Sequence, residues 1–312
     1  MRLSLRTLLL TGAIGAACVL TPAGAAIARQ PATKTIYLTV LDNKGAPITD
    51  LGPAELEAKA GGKAMEIVRM QPGQMPFRIA VIVSDAGTGG FQQGLANFMQ
   101  KLLGQAEFSL ISVITQPQVV SDYSSEGAML KEAVRRVGPR GRARGAGAQL
   151  MEAIQEATRS VASDGRRPVI LVLRAGGEAV TTLEGDEVRE DLRKSGAVLY
   201  VVSTVGAQRP NAPSARTGIS SEQAQMQDAD NANNTLNIAQ VLGDGSKESG
   251  GRHDQVMSTT LVPALERVAD ELLSQYSVTC VLPAGVKPND KLSISTKRKG
   301  ASIQAPARLS TR

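Results

Sequence analysis

With 312 residues, a formal charge of +6 and only 3% aromatic residues, the chain is long enough for a sizeable core but carries no stacking platform for nucleic acid. Two cysteines and one histidine exclude a disulfide framework in the exported chain and any histidine- or cysteine-built zinc site. Basic residues are spread along the chain apart from one cluster, Arg135-Arg136 followed by Arg140, Arg142 and Arg144 among glycines. Its expected state is a solvated loop whose weak contacts would be with anionic surfaces.

Residues 1–28 read as an export signal. Arg2 and Arg6 make the basic start, Leu8 to Leu20 the apolar stretch, and Ala26-Ile27-Ala28 the small-residue cleavage site. Glycines and Thr11 interrupt the apolar run, so no transmembrane anchor is expected. Gly15-Ala16-Ala17 lacks the large aliphatic residue usual before a lipidated cysteine, which disfavours anchoring at Cys18. The expected location is the periplasm or the cell exterior. Removing the signal leaves a charge of +4 and Cys280 as the one cysteine, in an apolar strand where a thiol is a small buried hydrophobe.

Residues 35–70 read as a small β unit, with Ile36, Leu38 and Val40 alternating against Tyr37 and Thr39, and turns at Asp42–Gly45 and Gly61-Gly62. Residues 71–76 have the composition of a linker. Ile79 to Val83 is then a continuous apolar run, the mark of a strand covered on both faces. It stops at Asp85-Ala86-Gly87-Thr88-Gly89-Gly90, and Phe91, Leu95, Phe98 and Leu102 follow on one helical stripe. In an open α/β sheet such a junction belongs to the carboxyl edge, where ligands bind. Asp85 is expected to cap the following helix.

Further strands are expected at 108–114, 118–121, 169–173 and 198–202, with helices around Leu130–Val137, Leu150–Val161 and Glu187–Lys194. This alternation predicts βαβ units and a doubly wound, mostly parallel sheet. Residues 207–257 contain no aromatic residue and are rich in Asn, Gln, Ser and Gly, so a mobile insertion is expected, with room for a few helical turns only around Leu236 to Leu242. Leu261, Leu265, Val268 and Leu272 mark a last helix, and Tyr276 to Leu282 the last strand of an α/β domain spanning 76–284. A terminal hairpin within 288–308, with strands Lys291–Thr296 and Ala301–Ala305, is expected to pack on the N-terminal unit and complete a small β domain.

Three stretches resemble the bacterial exported proteins that carry a von Willebrand factor A-related domain: Leu38 to Leu51, the strand ending in Asp85, and Leu265 to Tyr276. The resemblance implies a von Willebrand factor A-like, Rossmann-type fold. It also implies a metal-dependent adhesion site with an Asp-x-Ser-x-Ser turn, a threonine before a later helix and an aspartate after a later strand. Of those five positions this chain matches only Asp85; the others are Gly87, Gly89, Ala148 and Ala175. One carboxylate without partner ligands does not hold magnesium, so no metal and no other cofactor is expected.

The resulting expectation is a non-enzymatic interaction module that binds a protein partner through carboxyl-edge loops. Its candidate residues are Asp85, Gly87, Thr88, Gly89, Arg140, Arg142, Arg144, Arg174 and Glu178. Two alternatives stand beside it. A cation-dependent module would need Glu178 or Asp122 as a substitute ligand. An anion or nucleotide site would use the glycine N–H groups before the helix, although the pattern Gly-x-Gly-x-x-Gly breaks at Gln92. A hydrolase is not expected, because there is no Gly-x-Ser-x-Gly elbow and His253 falls in the expected insertion.

Overall fold

The computed structural model describes residues 32–139, 147–163, 165–176, 179–204 and 221–310. The expected export signal, Arg140, Arg142, Arg144 and Glu178 lie outside these residues.

The expected doubly wound α/β fold is present, accompanied by a second, antiparallel sheet. The first sheet centres on β4 (Phe77–Ser84), which runs parallel to β5 (Ala106–Val113) on one side and β7 (Arg167–Arg174) on the other. Next to β7 comes β8 (Val198–Thr204), also parallel, while β6 (Pro117–Ser124) closes the β5 side antiparallel. The continuous apolar run of β4 has a simple cause in its two buried faces. Ile79, Val81 and Val83 enter a core with Leu95 and Phe98 of α1 (Gln92–Lys101). Leu130 and Val134 of α2 (Gly127–Arg136) line that same core. Ala80 and Ile82 point the other way, into a core with Ile154 of α3 (Leu150–Val161) and Val188 of α4 (Gly185–Ser195). Fully burying one such aliphatic side chain contributes about 1.5–3 kcal/mol.

The far edge of this sheet corrects the later part of the expected insertion, while residues 207–220 of it lie outside the described residues. Residues 221–248 are helical: α5 (Ser221–Ala239), a π-helical turn Gln240–Gly245, and α6 (Ser246–Glu248). Ile238, Val241 and Leu242, within the stretch where the sequence leaves room for helical turns, are buried against the α3–α4 face and tie that segment down. Chain then returns as β9 (Arg252–Val256), parallel to β8 and last in the sheet order β6-β5-β4-β7-β8-β9. A Cβ at Gly251 would lie 2.1 Å from the Leu199 carbonyl oxygen, so glycine is what lets β9 approach β8.

The second sheet contains β1 (Thr33–Leu41), β2 (Leu56–Ala60), β3 (Lys63–Pro72), β10 (Tyr276–Val281), β11 (Leu292–Thr296) and β12 (Ser302–Gln304). Its order is β11-β2-β3-β10-β1-β12, and the two end strands come back into contact, so the sheet curls around its own core. Two expectations are corrected here. Tyr276 to Leu282 does not join the parallel sheet: β10 pairs antiparallel with β1 and β3, and Tyr276, Val278 and Cys280 point into the curled core. The C-terminal strands do not pair with each other either; β11 pairs with β2 and β12 with β1. Alternating strands carry no record of which neighbour they will meet. The polypeptide passes between the sheets through α7 (Leu261–Leu273), packed on α1, and then through Gln275 into β10.

Candidate functional site

The order around β4 and β7 makes their carboxyl ends the topological switch point of the sheet. Asp85 follows β4 there, 4% exposed. Its Oδ1 accepts the Gly87 N–H at 2.9 Å, and its Oδ2 accepts the Gly89 N–H at 2.6 Å and the Thr88 hydroxyl at 3.4 Å. This closed turn requires a left-handed backbone at Ala86, Gly87 and Gly89, with φ of 53°, 77° and 73°. The two glycines adopt that conformation without a Cβ clash.

The expectation that Asp85 caps the helix is thus corrected. α1 begins at Gln92 with Phe91 in the N-cap position and no side-chain cap. The glycines let the chain wrap the carboxylate first, so N–H groups of the turn, rather than of the helix, satisfy it. The same bonds bear on the phosphate alternative, because the N–H groups of Gly87 and Gly89 are already donated to Asp85.

Around this turn three of the other positions that the resemblance points to, Gly89, Ala148 and Ala175, are held by packing or backbone hydrogen bonds. A Cβ on Gly89 would lie 2.6 Å from Pro139 Cδ, so a serine there meets a ring as well as a positive φ. Ala175 donates its N–H to the Ser84 carbonyl at 2.9 Å and packs on the core beneath. Ala148 bridges to Ala179 and accepts the Val180 N–H at 3.1 Å. Asp122 is exposed on edge strand β6. Among the described residues no group of three or more His, Cys, Asp or Glu side chains comes together. The donor set does not fit a magnesium octahedron: one carboxylate with both oxygens engaged, and four positions without a side-chain oxygen.

Arg174 ends β7, opposite Ser84 on one side and Ser203 of β8 on the other. Burial lowers its pKa. Its charge reaches His253 on β9, a residue the sequence places in an insertion and the fold places on the sheet. His253 Nε2 lies 2.7 Å from the Ser203 hydroxyl. Burial first, and then the positive charge of Arg174, lower its pKa against the opposing pull of Asp254, so the ring is neutral at neutral pH. A neutral imidazole on a serine hydroxyl is half of a nucleophile pair. Among the described residues, however, no carboxylate is bonded to the ring, and Asp254 is engaged by Arg252 at 2.8 Å. Among the described residues the pair therefore has no third group of a triad. No sequence signal marks β9, because a strand reading Arg-His-Asp-Gln-Val has neither apolar run nor alternation.

No protein-family model and no curated protein matches the chain. Solved structures similar to it include BatB from Bacteroides thetaiotaomicron, 14% identical over 63% of this chain and 97% of that one, with a TM-score of 0.43. Another is the vWF domain of the type V pili tip protein Mfa5 from Porphyromonas gingivalis, at 9% identity, 64% and 96% coverage and a TM-score of 0.42. A third is proximal thread matrix protein 1 from the mussel byssus with a zinc-occupied MIDAS motif, at 14% identity, 67% and 48% coverage and a TM-score of 0.43. No helix among the described residues is long and apolar enough to cross a membrane.

Proposed function

We propose that the protein is a non-enzymatic, adhesion-type interaction module, exported to the periplasm or beyond, that engages a protein partner without a bridging divalent cation. The contact surface in this reading is the carboxyl edge, with the turn of Asp85, Gly87, Thr88 and Gly89 and the end of β7 at Arg174. Arg140, Arg142, Arg144 and Glu178, which lie outside the described residues, join it as candidates from the sequence alone. One observation carries the reading. The carboxylate that would anchor a cation is bonded on both oxygens by its own turn, and Pro139 fills the space a liganding serine would need. A partner would then be met through shape and through the fixed charge of the arginines.

The test is thermal melting with magnesium and manganese, because a ligand that binds only the folded state raises the midpoint by mass action. The expected result is no saturable shift at millimolar metal, for the parent and for Asp85→Ala alike. Capture of a partner from envelope extract is expected to survive a chelator. A saturable shift that Asp85→Ala abolishes, or partner loss on chelation, overturns metal independence.

A further inference from the structure

At the opposite, amino-terminal end of the parallel sheet, a cleft of about 420 Å³ opens between the two sheets. That volume lies within the range of roughly 300–1,000 Å³ that small-molecule sites occupy. Its walls are largely apolar, from Ile36 of β1, Val169 of β7, Val198 of β8, and Leu292 and Leu309 of the C-terminal segment. Among the described residues, all the side chains in it that carry a charge at neutral pH are basic: Lys34, Arg166, Arg167 and Arg308. Asp164, between the lining residues Ser163 and Gly165, lies outside the described residues.

These four cations are not equivalent. Arg166 has a carboxylate partner, Glu107, at 2.7 Å. Arg167 has none among the described residues. It is 5% exposed and donates to the Met75 carbonyl at 2.7 Å, the Gln275 Oε1 at 3.0 Å and the Gly73 carbonyl at 3.5 Å. Its guanidinium stacks 3.7 Å from the Phe77 ring centroid, and burial brings its pKa down to about 10. Arg308 donates to the Asn289 carbonyl at 3.1 Å and has no carboxylate partner among the described residues. Lys34 has no acidic partner among the described residues, and burial lowers its pKa as well. A cation at a low-dielectric apolar wall is stabilised by any anion that displaces its water.

We infer that this cleft is a binding site for an amphiphilic carboxylate, its acid group among Lys34, Arg167 and Arg308 and its hydrocarbon body along the apolar wall. The match is one of two parts. A bare small anion leaves the apolar wall wet, and a neutral amphiphile leaves the cations without a counter-charge. The site lies at the end of the sheet away from Asp85, so it stands or falls independently of the proposed partner-binding edge.

The probe is decanoate below its micelle concentration, added to the full chain and followed by thermal melting and calorimetric titration. Decanol and acetate are the comparators. Decanoate is expected to raise the midpoint saturably, decanol and acetate to leave it in place, and Asp85→Ala to bind decanoate as the parent does. Lys34→Glu and Arg308→Glu, both at accessible positions, are each expected to weaken decanoate about tenfold or more, the size of one lost charge-assisted contact. No shift with decanoate, an equal shift with decanol, or unchanged affinity in both charge-reversed chains overturns the inference. The comparison of decanoate with decanol needs only the parent chain, so it decides even if a variant folds poorly.

Discussion

At the carboxyl end of β4 a buried carboxylate is wrapped by N–H groups, and at the amino end of β7 a buried guanidinium is wrapped by carbonyl oxygens. Neither Asp85 nor Arg167 has an opposite charge bonded to it among the described residues. In both places the dipoles of the protein take over the role of water. The difference lies in the space left over. Asp85 sits in a turn packed against Pro139, whereas Arg167 lies at the base of a cleft that also gathers Lys34 and Arg308. In the proposed readings, solvating a charge with the chain itself leaves the full turn at Asp85 no room for a cation, and leaves a cleft beside Arg167 where the wall is apolar and unfilled.

The sharpest way to break this comparison is Arg167→Ala. It leaves the Gln275 side chain and the carbonyls of Gly73 and Met75 without their donor and removes a cation packed on Phe77. A loss of about 3 kcal/mol is expected, read as a lower denaturant midpoint at unchanged slope. Gly89→Ser asks whether the other end has room for the missing ligand. A Cβ against Pro139 at positive φ is expected to cost about 2 kcal/mol, and magnesium is not expected to restore it. A magnesium-dependent recovery of the melting point would show the turn to be less full than its packing indicates.

Asp85→Ala leaves the N–H groups of Gly87 and Gly89 without acceptors, and a loss of about 1–2 kcal/mol is expected in the same unfolding measurement. His253 supplies the smallest effect. Its folded pKa lies below the unfolded value, so its contribution is present above about pH 6.5 and is lost as pH falls through the lower folded value. As the chain's single histidine, it is expected to give one Cε1 proton resonance, titrating with a midpoint below 6.5. His253→Gln is expected to flatten that part of the stability profile, and a midpoint at or above 6.5 would contradict the burial at the sheet edge.

Much of the α/β layer was legible residue by residue. Ile79 to Val83 and Val169 to Leu173 are continuous apolar runs, which in this setting only a strand covered on both faces uses. The stripe of Leu95 and Phe98 on α1 and that of Leu265 and Val268 on α7 give helical periodicity with the buried face already marked. The second sheet was legible only as strands. Tyr276, Val278 and Cys280 have the inward alternation of β10 whichever sheet receives them, and the antiparallel pairing with β1 and β3 joins residues more than two hundred positions apart. The terminal strands looked like a hairpin because they are neighbours in sequence, yet each pairs with a strand of the N-terminal unit.

For the site, the absence of side-chain oxygens at Gly87, Gly89, Ala148 and Ala175 was visible in the residues themselves. How Asp85 is satisfied was not, since a helix cap and a closed glycine turn share the same letters. Nor was the Ser203–His253 contact visible, because β9 has no pattern of its own and is held by the approach of Gly251 to β8.

The sequence by itself determined the layers and the chemistry on offer: which runs are buried on both faces, which helices are one-sided, and that positions 87, 89, 148 and 175 carry no side-chain oxygen. Tertiary structure alone decided which sheet received β10, what replaced the solvent around Asp85, and which cations met over the amino-end cleft. Apolar periodicity is a local property of adjacent residues, whereas strand partnership and charge clustering depend on segments that only the finished chain path brings together.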